Sequence, residues 1–317
     1  MITLSTIKSE LKLFHVNQTI GSRVNDWVYW VLCDIVASND YWWNKKTATL
    51  TTVSGAAEYF LNHRVNMKQL KRFYDTTNNN VIDEVPLEDI YSYDPTPTET
   101  GTPTKWAFIN QAEVQAVASS AATVSVVSGS TADLSQKVVI RGLVSGIERI
   151  EELTLNGTTA VAGTLTWAAG EIESCVLSAT CTGTITVTSS ATTIVAIPPG
   201  YLRIQCPKIR FQLVPNGTYS LTYIFYQTPV RPSSDNDIID LPDEAFKALR
   251  YGLEEIGHYN NGDIDFSSAA SRKYAEAKRE LAIWSQRNLN QNEVKDYATA
   301  APTGYRWPPT ITYVVSS

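Results

Sequence analysis

Between Val114 and Ile197 only nine of 84 residues are charged, and none lies after Glu173. The charge is replaced by Thr, Ser, Ala and Val, residue types that fit a pleated, half-buried surface. Short runs of this kind recur at Thr123–Val127, Lys137–Leu143, Glu152–Leu155, Ile172–Leu177, Thr184–Thr188 and Thr192–Ile197, with Gly, Ser and Asn between them. Asn156-Gly157 is a hairpin signal, because both residues tolerate the positive φ of a tight turn. Short strands at this spacing predict a small antiparallel β-sandwich over 113–198. The Cys…Trp…Cys pattern of antibody domains is absent. Cys175 and Cys181 lie too close in sequence for an inter-sheet bridge of that type, although they can pair across two strands or remain free thiols. A chain made in a reducing cytoplasm favours free thiols.

The flanks of this segment are also β-like. Upstream, residues 47–112 read as strands and loops. Thr47–Val53 ends at Gly55, Tyr59-Phe60-Leu61 starts a second strand, Val65–Tyr74 gives a third, Asn78-Asn79-Asn80 turns, and Trp106–Ile109 follows a proline-rich loop. Downstream come Tyr201–Gln205, Ile209–Val214, the turn Pro215-Asn216-Gly217, and Tyr219–Gln227, which alternates Tyr219, Leu221, Tyr223 and Phe225 on one face. Two β-segments that share a sheet, with a low-charge unit between them, predict an inserted domain.

Helices occupy the two ends. Ser5 is placed to cap a short helix carrying Ile7, Leu11 and Phe14. A second helix has Val24, Trp27, Val28, Val31, Leu32 and Ile35, spaced 3, 1, 3, 1, 3 on one face. Trp30 and Trp284 fall on or near helical stripes and read as core, like Trp27. Residues 241–289 carry 15 charged residues and two stripes. Phe246, Leu249, Leu253 and Ile256 run 3, 4, 3, after an Asp240 cap. Beyond the Asn260-Asn261-Gly262-Asp263 loop, Ala270, Tyr274, Ala277, Leu281 and Trp284 run 4, 3, 4, 3. Such stripes predict a helical hairpin whose packing seam is Phe246, Leu249, Leu253, Ile256, Tyr274, Leu281 and Trp284. Periodicity is lost over 290–317, which reads as an extended arm with Tyr305, Trp307 and Tyr313 as anchors for a partner. The expected fold class is therefore α+β: a helical core with a small β-sheet, an inserted antiparallel β-sandwich and an extended C-terminal arm. The corresponding units are 1–112, 113–198, 199–289 and 290–317.

Catalytic signatures are missing from the sequence. There is no GxSxG, HExxH, GxxxxGKS or GxGxxG motif. Of the three histidines, His15, His63 and His258, the first and last sit at predicted helix ends, where the dipole favours a cation, and a structural role is read for each. Asp235, Asp237 and Asp240 read as a capped helix start, since the glycine and the twelfth-position acid of a calcium loop are absent. Glu151-Glu152 is the best acid pair, but neighbours on a strand point to opposite faces. No catalytic, cofactor or metal residue is expected. The first residues show no basic region followed by an apolar run, so no signal peptide is read there. Nor does any stretch approach the ~20 apolar residues of a membrane helix. A net charge of −6 argues against a phosphate grip along nucleic acid.

Taken in order, certain of these segments resemble the head-to-tail adaptor, or head-completion, proteins of tailed bacteriophages. The cues are the helix with Trp27, the strand pair Thr49–Gly55 and Tyr59–Leu61, and the Gly101-Thr102-Pro103 loop before Trp106. Tyr219–Tyr223, the acidic loop Ser234–Asp240 and Leu241-Pro242-Asp243-Glu244 opening the hairpin complete the set. The resemblance covers 1–112 and 201–289 and leaves 114–197 as a departure, similar to the Ig-like inserts of phage structural proteins. It implies a non-enzymatic virion protein without cofactors, made in the bacterial cytoplasm and placed at the head-to-tail interface. Its copies form a ring, commonly twelve-fold, that contacts the portal and the tail or nozzle proteins. Double-stranded DNA passes through the lumen without specific binding, and no membrane is involved. The competing expectation is a tail or baseplate module whose sandwich contacts host-surface glycans. That module needs exposed aromatic residues, and 114–197 offers only Trp167.

Overall fold

A computed structural model describes residues 2–13, 23–70, 72–118 and 120–299. β1 (Ile2–Thr3) runs directly into α1 (Leu4–Leu13), which buries Leu4 and Ile7. Its cap is Thr3, two residues ahead of the expected Ser5: Thr3 Oγ1 accepts the Thr6 amide at 3.3 Å. His15 and Phe14 lie outside the described residues. α2 (Val24–Ser38) buries the six apolar residues of its predicted stripe and Val36 beside them. Trp30 lies about 200° around the helix from Val28 and is 57 % exposed, so it is not core.

The chain then enters β2 (Lys45–Thr51), β3 (Glu58–Phe60), β4 (Arg72–Asp75), β5 (Asn80–Glu84), the short α3 (Leu87–Tyr93), β6 (Thr100–Gly101) and β7 (Lys105–Ala112). The low-charge stretch supplies β8 (Ala122–Ser128), β9 (Lys137–Val144), β10 (Ile147–Thr154), β11 (Val161–Trp167), β12 (Ile172–Leu177), β13 (Ile185–Ser189) and β14 (Thr192–Ile197). After it come β15 (Cys206–Phe211), β16 (Val214–Pro215), β17 (Ser220–Tyr226), β18 (Ile238–Ile239), α4 (Phe246–Asn260) and α5 (Ile264–Thr299). Tyr201–Gln205, expected as a strand, is irregular; the strand begins at Cys206.

These strands correct the expected fold class. Over the described residues the protein is mostly β, with several sheets including a large curled half-barrel, so the helices pack beside an extensive β-structure rather than forming a core that carries a small sheet. The largest sheet has seven strands in the order β2-β17-β4-β5-β7-β15-β3, antiparallel except where β5 meets β7. Its concave side closes on Phe73, Ile82, Trp106, Ile209, Phe211, Leu221, Tyr223 and Phe225, all buried. Aromatic contacts tie the strands together, with Phe73 5.0 Å from Trp106 and 5.1 Å from Tyr223 between ring centroids. β17 lies between β2 and β4, so its partners come from the opposite end of the sequence. Local periodicity registers each strand but carries no information on such pairing, whereas a helical stripe is complete in itself. The helices therefore dominate the sequence reading beyond their share of the fold.

Strands β8–β14 form two sheets of their own, β10-β9-β12 and β11-β8-β13-β14. Both contribute to one core, including Val124 and Val126, Val138 and Ile140, Cys175, Ile185 and Val187. The flanking strands β7 and β15 pair directly, Ala112 opposite Cys206.

The C-terminal arm is corrected as well. Residues 290–299, expected to be extended, continue α5 as helix. Between Ile264 and Thr299 there is neither glycine nor proline, so nothing stops the helix once it has started. Tyr305, Trp307 and Tyr313 lie outside the described residues. Among the described residues, no helix is long and apolar enough to cross a membrane.

Candidate interaction surfaces

The seam residues meet in one core with α1 and α2. Leu249, Leu253, Tyr274 and Leu281 are buried there, and Phe246, Ile256 and Trp284 pack half-buried against it. Gly252 lets α4 approach: an added Cβ would stand 2.6 Å from Val31 Cγ1 and 3.1 Å from the Tyr274 ring. The Tyr274 hydroxyl donates to Asp34 Oδ2 at 2.7 Å, and Lys278 Nζ reaches the same oxygen at 2.7 Å. Burial works against the Asp34 carboxylate, but these two donors outweigh it and hold the pKa below the usual range. Tyr41, Trp42, Trp43 and Trp284 form a ring cluster beside α5, with Trp284 5.9 Å from Trp42 and 5.6 Å from Trp43. Asp240 caps nothing: α4 is led in by a 3-10 turn after Pro242, with no side-chain cap.

The acids that drew attention in the sequence are held by structural partners. Glu151 is buried and accepts from the Leu165 amide at 3.1 Å, Thr164 Oγ1 at 3.0 Å and Trp167 Nε1 at 3.2 Å. Glu152 lies on the other face and pairs with Lys137 at 2.9 Å. Asp237 accepts the amides of Ser233 and Ser234, and Asp235 pairs with Lys8. Among the described residues no three His, Cys, Asp or Glu side chains are grouped to hold a metal ion. His258 closes α4, its Nδ1 3.8 Å from Asp263 Oδ2. His63 is half-buried, and desolvation followed by nearby Arg64 lowers its pKa. All four cysteines are free, and Cys175, Cys181 and Cys206 are buried. Burial pushes the Cys175 thiol up to about 12, which makes it unreactive at neutral pH.

Sequence reasoning missed the apolar residues at the hairpin turn. Tyr259, Ile264 and Phe266 are exposed. The available signal was their position outside both stripes, around Asn260-Asn261-Gly262.

Residues 107–302 match the family model described as SU10 adaptor protein. The protein is thus a phage adaptor, a structural protein of the particle. It belongs to the SU10 adaptor protein family, since the matched span is more than half of the chain. That span includes 113–198, which the resemblance in sequence leaves outside the family. A comparison with curated proteins returns no match.

Proposed function

We propose that this adaptor occupies the head-to-tail junction as a homo-oligomeric ring, of twelve copies, beneath the portal. It extends the DNA channel and offers the docking surface for tail or nozzle proteins. The family match over 107–302 is the observation that carries the reading. Its net charge of −6 fits a lumen that DNA passes without specific binding. On this reading 1–112 and 199–289 make the adaptor body and 113–198 an inserted Ig-like sandwich. The side-by-side pairing of β7 and β15 supports that division. The helical seam fixes the body, and Tyr305, Trp307 and Tyr313 serve as portal anchors. The glycan-binding alternative loses its only aromatic platform residue, because Trp167 is fully buried with its indole N–H on Glu151.

Electron microscopy of the purified protein, alone and mixed with portal, tests this. Rings that cap the portal are expected. Single subunits that ignore portal at micromolar concentration would overturn the assignment.

A further inference from the structure

Between Arg250 and Arg272 the chain has no lysine or arginine, yet it carries Glu254, Glu255, Asp263 and Asp265. This span forms the far end of the helical hairpin, where α4 turns into α5. Hydrogen bonds fix the turn. The Gly262 amide donates to Tyr259 O, the Asp263 amide donates to His258 O at 3.0 Å, and Ser267 Oγ donates to Glu255 O at 3.2 Å. Gly262 takes a φ of +80°, the left-handed conformation that closes the turn.

On this fixed turn Tyr259, Ile264 and Phe266 are 72 %, 69 % and 67 % exposed. Tyr259 follows the last seam residue of α4, and Ile264 and Phe266 precede the first of α5, so the hairpin core does not cover them. His258 stacks on Phe266 with ring centroids 5.6 Å apart, steadying that ring. Asp263 and Asp265 stand exposed among the three apolar side chains. Exposed apolar groups clustered this closely mark an interaction site more often than scattered ones do, and large rigid side chains on a prebuilt turn lose little entropy on binding.

We propose that the α4–α5 tip is a docking knob for a different protein of the particle, one that presents an apolar pocket rimmed by lysine or arginine. Charge complementarity selects this occupant: Arg250 pairs with Glu254 at 3.0 Å, but Asp263 and Asp265 stand exposed at the turn, and 251–271 holds no lysine or arginine to offset them. Nucleic acid would be repelled by the same acids, and a tip-on-tip contact between two copies would press like charges together. The inference rests on the adaptor reading and adds to it the surface and the chemistry of the partner.

The test uses the full chain with two purified probes, the portal protein and the tail protein of the same particle. One variant replaces Tyr259, Ile264 and Phe266 with serine, and the other is Asp263→Lys with Asp265→Lys. Both should keep the parent's helical circular dichroism; the serine variant should melt like the parent, and the lysine variant slightly lower, since Asp265 lies in the first turn of α5, where a carboxylate is favoured. Each should bind one of the two probes at least tenfold more weakly, and the lysine variant should lose the salt dependence of the parent's binding. Unchanged affinity of both variants for a probe the parent binds would overturn the knob. So would altered self-association in sedimentation with probe binding intact, which would make the occupant a second copy. A parent that binds neither probe overturns the adaptor placement, and the inference with it.

Discussion

Asp133 is 1 % exposed, and both of its carboxylate oxygens are engaged. Oδ2 accepts from Ser128 Oγ at 2.6 Å and the Gly183 amide at 3.0 Å, and Oδ1 accepts from the Thr182 amide at 2.9 Å and Thr182 Oγ1 at 2.7 Å. Burial alone would raise its pKa, but the four donors lower it to about 2. The carboxylate thereby clips the loop after β8 to the segment that leads into β13. Because the folded pKa lies below the unfolded value near 4, the stabilisation is complete above that value and is lost as pH falls from about 4 to about 2. A shift of roughly two units corresponds to about 2–3 kcal/mol. Asp133→Asn keeps the size but turns an amide toward a ring of donors. It should cost about 2–4 kcal/mol at pH 7 and make the acid loss of stability shallower. Urea unfolding at pH 7, 4 and 3 measures both. Equal stability at pH 7, or an unchanged slope, would show that the clip contributes nothing. The sequence shows this residue only as an acid in a turn, since three of its four donors come from Thr182 and Gly183, far along the chain.

Among the elements, α2 was legible because its stripe is local: every one of its six spaced residues is buried. Ile172–Leu177 and Thr192–Ile197 were legible for the same reason, as short runs rich in β-branched residues bounded by turn residues. β11 was not. Gly163 interrupts its pattern, and the structure gives the reason: an added Cβ would stand 2.7 Å from Glu151 Oε2, so the glycine makes room for a buried carboxylate. Residues 290–299 of α5 are not legible, because loss of periodicity does not imply loss of helix: residues without breakers continue a helix at little cost. That the β-segments on either side of 113–198 share a sheet was legible; the order of its seven strands was not, because it depends on pairs such as Leu221 with Leu50 and Asp75. The hairpin tip shows in the sequence only as apolar residues outside both stripes; that they stay uncovered is visible only in the packed hairpin. The contact between α2 and α4 gives a sharp test. Alanine normally gains about 1 kcal/mol over glycine inside a helix. At Gly252 the added methyl meets Val31 at 2.6 Å, and overpacking of this kind costs about 1–3 kcal/mol. Gly252→Ala should therefore lower the thermal midpoint. A rise would mean that α4 does not press on α2 at this point.

For the whole molecule, the question is how far the β8–β14 unit depends on the rest. Its two ends lie together: the Gln115 amide donates to Ile194 O at 2.7 Å, and Gln115 Oε1 accepts the Ala196 amide at 2.9 Å. β7 and β15, which lead in and out, are neighbours in the large sheet. A short linker can therefore replace 114–197 without moving either strand. The cores are not fully separate, however. Ile204 and Cys206 are buried in the same cluster as the β8–β14 side chains, and Phe60, Ala112 and Tyr201 pack against it. Excision uncovers these residues while leaving the cores around Phe73 and Leu249 intact. Exposing one buried apolar side chain costs about 1.5–3 kcal/mol, so the loss of cover should weaken the remainder by several kcal/mol without abolishing its fold. A chain with 114–197 replaced by a Gly/Ser linker should retain the helical circular dichroism of α2, α4 and α5. It should unfold in a single cooperative transition at lower denaturant than the parent. A broad, non-cooperative transition, or loss of the helical signal, would show that the unit is part of the adaptor's own core and not an insertion into it.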